Sequence, residues 1–162
     1  MRTAGKIVRP AGLLRRVRQA RAAGQTIVFT NGCFDILHYG HIRYLETAKG
    51  RDRFLVIGLN SDDSVRRIKG PGRPINSQGH RAAVLAALAC VDGVCIFDEE
   101  TPAGLIAQVR PDVLIKGADW KGRTVAGAEG VLSSGGRVEF IKYEAGCSTT
   151  GVIRSIQRRQ AT

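Results

Sequence analysis

With 162 residues, the chain has room for one domain around a single core. Apolar residues make up 43% and aromatics 6%, which suits an aliphatic globular core, and no window approaches the ~20 consecutive apolar residues of a membrane span. The net charge of +11 invites a nucleic-acid partner, but the cations are spread along the chain without interleaved aromatics to stack bases, so a solvated basic surface that attracts small phosphorylated anions is expected instead.

Taken in chain order, Leu13, Val17 and Ala20 recur on one side of an arginine-rich segment and predict a helix that ends by Gly24. Residues 26–30 form a short β-branched run and predict a strand. Ile42, Leu45 and Ala48 place a helix over 41–48, and a second strand is expected at 54–59. Asp62, Asp63 and Ser64 read as the cap of a short helix, or as ligand-facing polar groups. A glycine- and proline-rich loop follows at 69–74, then an Ala- and Leu-rich helix at 82–89 and a strand at 91–97. Thr101-Pro102 is a helix start, with the threonine as cap and the proline at the first helical position, and Pro111 marks the end. Strands at 113–115 and 138–141 and a helix over 148–159 complete the pattern. Strands alternating with helices imply right-handed crossovers. The expected fold is α/β, a Rossmann-like, doubly wound, five-stranded parallel sheet with helices on both faces, binding ligands beyond the carboxyl ends of its strands.

The four cysteines, Cys33, Cys90, Cys95 and Cys147, show no CxxC spacing and are expected to be reduced thiols. Residues 1–6 lead into arginines rather than an apolar leader, so a cytoplasmic location is expected.

The chemistry concentrates after the first strand, in Asn31-Gly32-Cys33-Phe34-Asp35-Ile36-Leu37-His38-Tyr39-Gly40-His41. Asn-Gly turns the chain, and Gly40 allows close approach at the mouth of a helix, where unpaired N–H groups attract phosphate. Two imidazoles three residues apart can share one side of a first helical turn and donate hydrogen bonds to a phosphoryl oxygen as charge develops on it. Only one further histidine, His80, exists and no HExxH spacing is present, which argues against a metal site. Asp35 can cap this turn, orient substrate or hold Mg²⁺ through water. Ser148, Thr149 and Thr150 at the start of the last helix make a second anion site. Lys116 should emerge at a strand's carboxyl end, and Lys69, Arg73 and Arg81 form a further group of cations suited to a phosphorylated substrate.

His38-Tyr39-Gly40-His41 resembles the HxGH signature of the nucleotidyltransferase superfamily that includes cytidylyltransferases. The longer runs at 29–41, 58–65, 69–75, 112–120 and 148–150 are similar to the heptose 1-phosphate adenylyltransferases, or ADP-heptose synthases, of lipopolysaccharide-precursor synthesis. The likeness covers about 13–156 and implies a single nucleotidyltransferase domain over 1–162, standing alone rather than fused to a sugar kinase. It implies a reaction of ATP, with Mg²⁺, and a sugar 1-phosphate. His38, His41 and Lys69 would be catalytic. Thr30, Asn31, Gly32, Cys33, Phe34, Gly40, Lys116, Gly117, Asp119, Ser148, Thr149 and Thr150 would bind the nucleotide, and Asp35, Asn60, Asp62, Ser64, Arg73 and Arg81 the sugar phosphate. Relatives often carry a basic residue after the hydroxyl run; Gly151 stands there in this chain, with Arg154 the candidate substitute. A homo-oligomer is expected, without nucleic-acid or membrane partners. The alternatives are a cytidylyltransferase acting on a polyol or amino-alcohol phosphate, a basic nucleic-acid-binding module on a degenerate nucleotide fold, and a covalent mechanism through Cys33.

Overall fold

The computed structural model describes residues 3–142, 144 and 146–160. After a 3-10 turn at Thr3–Lys6, the first helix, α1, spans Pro10–Ala22 and leads into strand β1, Thr26–Gly32. Helix α2 (Tyr39–Lys49), strand β2 (Arg53–Asn60), helices α3 (Asp62–Lys69) and α4 (Gln78–Ala87) and strand β3 (Gly93–Phe97) follow. Helix α5 (Ala103–Val109), strand β4 (Val113–Gly117), a 3-10 turn at Ala118–Trp120, helix α6 (Ala128–Ser133), strand β5 (Arg137–Ile141) and helix α7 (Thr149–Gln160) complete the order. All strand pairings are parallel, in the order β3-β2-β1-β4-β5. This is the expected doubly wound sheet.

Alternation along the strands divides the core between the two faces. Ile27 and Phe29 of β1 and Leu114 of β4 join α1, α5 and α6 on one side. Val28, Val113 and Ile115 join α2 and α4 on the other. Leu13, Val17 and Ala20 are all buried, as their spacing predicts. Continuous apolar strands read correctly because both sheet faces are covered.

The differences have local causes. Strand β3 begins at Gly93 rather than at 91, although Val91 is fully buried. Pro102, not Thr101, occupies the N-cap position of α5, and no side chain caps that end. The helix stops at Arg110, whose φ of 49° puts it in the left-handed region before Pro111 is reached. The segment after β2 is a full helix, α3, capped by Ser61 Oγ, which accepts from the Ser64 amide at 3.1 Å. Lys69 is therefore the last residue of a helix, not part of a loop. Helix α6 was not apparent from periodicity, because only Val131 of its six residues is buried.

Candidate active site

Sheet order reverses between β1 and β4, and a cleft of about 470 Å³ opens there beyond the strands' carboxyl ends. Asn31 and Gly32 end β1 on its floor, and Lys116 and Gly117 end β4 beside them. Lys116 Nζ spans the two strands and donates to Asn31 Oδ1 at 2.6 Å, with Nζ 5.0 Å from the centroid of the Trp120 ring. Burial lowers the lysine's pKa to about 8, against the opposing pull of Asp119.

The turn leaving β1 is fixed by polar contacts rather than by regular structure. Asp35, whose side chain is 1% exposed, accepts from Arg73 Nε at 2.7 Å and from the amides of Ile75 and Asn76 at 2.8 Å each. Burial alone would raise its pKa, but the Asn76 and Ile75 amides and the Arg73 guanidinium outweigh it and hold the carboxyl below its usual value. The fully buried Arg81 side chain donates to the carbonyls of Cys33 and Asn76 and to Asp62 Oδ1. Between these anchors Phe34 adopts a φ of 44°, a conformation an aromatic residue holds only where its surroundings over-determine it.

The turn delivers His38 to the N-cap position of α2 and His41 to its first turn. Their rings stack with centroids 3.9 Å apart and planes 30° apart, and Phe34 packs on His41 at 5.4 Å. Both Nδ1 atoms are buried and have no hydrogen-bond partner among the described residues. Burial lowers both pKa values, that of His41 to about 4 with His38 adding to the effect, so the imidazoles are neutral near pH 7. The beginning of α7 closes the same end of the cleft. Thr149 Oγ1 donates to Ile36 O at 3.3 Å, and a Cβ on Gly40 would come within 2.9 Å of Cys147 Cβ, so only glycine admits this approach. Two helix N-termini thus converge where Thr149 and Thr150 line the cleft, an arrangement suited to a polyphosphate.

The sequence model of the cytidylyltransferase-like family matches residues 29–154. The chain belongs to this family of nucleotidyltransferases. It is 52% identical over 152 residues to the bifunctional protein HldE of Pasteurella multocida, covering 94% of this chain and 32% of that protein. With HldE of Syntrophotalea carbinolica it shares 54% over 139 residues, covering 86% of this chain and 28% of the relative. The chain therefore spans about a third of the length of these curated relatives. Among solved structures, the lipopolysaccharide core biosynthesis protein of Thermoplasma volcanium superposes with a TM-score of 0.61 at 29% identity, over 75% of this chain and 98% of that one.

In this cytidylyltransferase-like chain the cleft gathers most of the residues expected from sequence: Asn31, Gly32, Cys33, Phe34, Asp35, His41, Asn60, Lys69, Arg73, Lys116, Gly117, Thr149 and Thr150. His38 stands behind His41 and Gly40 lies buried under the turn. Other expected residues are turned to structural work. Thr30 is fully buried, and its hydroxyl shares a 2.8 Å hydrogen bond with that of Tyr44. Arg81 and Asp62 pair with each other away from the cleft, so Arg81 is a strut and not a cation facing substrate. Ser64 is fully buried, with Oγ donating to Glu99 O. Ser148 caps α7 by accepting from the Gly151 amide at 3.0 Å, while Asp119 and Arg154 are exposed outside the cleft lining. Asp35 has its carboxylate taken up by Arg73 and two amides, the bonding of a turn cap. Among the described residues, no group of three or more His, Cys, Asp or Glu side chains is placed to hold a metal ion. No helix in them is long and apolar enough to cross a membrane.

Tyr44, Glu100 and Thr101 also line the cleft, without a ligand-facing role expected from sequence, and so does Trp120 at the end of the 112–120 run. Tyr44 lies three residues after His41 on α2, a helical spacing that could have revealed it. Glu100 and Thr101 follow the carboxyl end of β3, where the rule for ligand position in such sheets points.

Proposed function

We propose that this chain is an adenylyltransferase that joins ATP to heptose 1-phosphate, giving ADP-heptose and pyrophosphate. The observation that carries the transferase chemistry is the stacked His38–His41 pair, with His41 lining the cleft that the hydroxyl-bearing Thr149 and Thr150 line at the opposing helix start. The sugar and the base rest on likeness: the HldE relatives, the structurally similar lipopolysaccharide core biosynthesis protein, and the runs at 58–65 and 112–120.

In the reaction an oxygen of the sugar phosphate attacks the α-phosphorus of ATP. A new P–O bond forms there, the bond to the bridging α,β-oxygen breaks, and pyrophosphate leaves with that electron pair. A phosphate oxyanion is already a competent nucleophile, so no protein nucleophile is required; the protein contributes placement and charge stabilisation. His41 donates to the α-phosphoryl oxygens, and His38 braces its ring from behind. Thr149 and Thr150, with the first amides of α7, take the outer phosphates. Lys69 guides the incoming phosphate, and Arg73, held by Asp35, keeps the wall near it in place. Lys116 and Trp120 flank the nucleoside end. Cys33 plays no covalent part, because burial raises its pKa beyond the compensation offered by Lys69, Arg81 and Arg73. Magnesium belongs to the nucleotide substrate: among the described residues no group of three or more His, Cys, Asp or Glu is placed to hold it, and the Asp35 carboxylate is already bonded.

The test is pyrophosphate release with ATP and CTP in parallel, each against heptose 1-phosphate, other sugar phosphates and polyol phosphates. Turnover with ATP and heptose 1-phosphate well above every other pair is expected. A preference for CTP with a polyol phosphate would replace this reading with that of a cytidylyltransferase.

A further inference from the structure

A phosphate oxygen accepts hydrogen bonds and is drawn to cations, and Lys69, Arg73 and Lys116 in the cleft lining, with the amides at the helix starts, answer that need. One end reverses this chemistry. Asn60, the last residue of β2, is 3% exposed and lines the cleft; its Nδ2 donates to Ser64 Oγ at 2.9 Å, and its Oδ1 is an acceptor. Glu100 lines the same cleft from the segment after β3. Asn60 pairs in register with Phe97, three residues before Glu100, so both acceptors belong to the β2–β3 end.

Glu100 is not presented by a free loop. The three residues before it are each fastened to α3 or its N-cap: Ser61 N donates to Phe97 O at 2.9 Å, Arg67 to Asp98 O, and Ser64 Oγ to Glu99 O at 2.9 Å. Ser64 thus joins the Asn60 amide to the backbone that carries Glu100. A carboxylate carried on this anchored backbone repels a phosphate, so the part of a substrate that it suits is one that donates hydrogen bonds. Sugar hydroxyls are such donors.

We propose, building on the transferase reading above, that Glu100 is a specificity-determining residue that accepts hydrogen bonds from the hydroxyls of the sugar phosphate, together with Asn60 Oδ1. The sugar then lies toward β2 and β3, the nucleoside toward β4, and the reacting phosphates between them over the histidine turn. The acidic wall selects polyhydroxylated acceptors over bare phosphate monoesters.

The experiment compares wild type, Glu100→Gln and Glu100→Ala in steady-state kinetics, with methyl phosphate as a competing phosphate that has no hydroxyl to donate. Glu100→Ala should raise KM for heptose 1-phosphate by about 10- to 100-fold, the range for hydrogen bonds to a charged acceptor. Glu100→Gln, which keeps one acceptor oxygen, should fall between it and wild type. KM for ATP should stay unchanged, and inhibition by methyl phosphate should stay the same or tighten as the repulsion is removed. An active enzyme whose Glu100→Ala variant keeps its sugar-phosphate KM, or weakens methyl phosphate equally, overturns this assignment and leaves the transferase reading standing. A wild type inert toward every sugar phosphate overturns both.

Discussion

The rings of His38 and His41 lie 3.9 Å apart, centroid to centroid, and each keeps a buried Nδ1 with no hydrogen-bond partner among the described residues. A protein gains nothing in stability from two such atoms, and leaving them unpaired costs it. The donor in the proposed mechanism is His41, which lines the cleft. His41→Ala should lower kcat for pyrophosphate release by about 10²–10³-fold, as for the loss of one preorganised donor. The circular dichroism spectrum should remain that of the wild type. Near-normal turnover in a folded His41→Ala protein would remove the pair from the mechanism.

The same burial makes stability depend on pH. His41 titrates near 4 in the folded protein and near 6.5 when unfolded. Above pH 6.5 it is neutral in both states. Between 6.5 and about 4 only the unfolded chain takes up the proton, so stability falls as pH falls, and the loss levels off below about 4. Urea unfolding of wild type and His41→Ala across this window should show a shallower decline in the variant.

Lys116 carries a second pH signature. With its pKa lowered to about 8, it is charged at pH 7 and loses its proton above 8 in the free enzyme. The KM for ATP should therefore rise from pH 7 to 9. Lys116→Gln should raise KM for ATP at pH 7 by about tenfold, as for a lost charge-assisted hydrogen bond, and flatten the pH dependence. A Lys116→Gln protein that retains the wild-type profile would assign the titration to another group.

Asp35 is predicted to matter for architecture. Asp35→Ala leaves Arg73 and the Ile75 and Asn76 amides without their shared acceptor, and should cost roughly 3–5 kcal/mol in chemical unfolding. Because the folded carboxyl titrates below its usual value, its stabilisation is present above about pH 4 and is lost as pH falls through the folded pKa.

Cys33 touches the cleft yet is held as a thiol by burial. Cys33→Ser should retain kcat close to wild type. A collapse of kcat in a folded Cys33→Ser protein would reopen covalent chemistry.

Much of this was legible before any tertiary structure. The histidine turn could be read because His38, Gly40 and His41 lie within four residues, so local backbone geometry alone groups them. Lys116 could be read because a lysine closing an apolar strand run must surface at the sheet's carboxyl edge. Arg81 and Ser64 misled for the converse reason. A charged or hydroxyl side chain on a short amphipathic helix can face solvent, ligand or core, and nothing local in sequence separates the three. Only the packing of α4 against the histidine turn, with Asp62 at hand, commits Arg81 to the interior.

Apolar periodicity and turn chemistry determined the alternation of strands and helices, the parallel sheet and the position of its mouth, because these follow from interactions within a few residues and from burying both faces of the sheet. The partition of polar groups between scaffold and cleft was decided by tertiary structure. Asp35 is saturated by residues about 40 positions away, and Asn60 gives one amide hydrogen to Ser64 Oγ. Which hydrogen bonds a buried polar group still has to offer depends on the partners that folding brings to it.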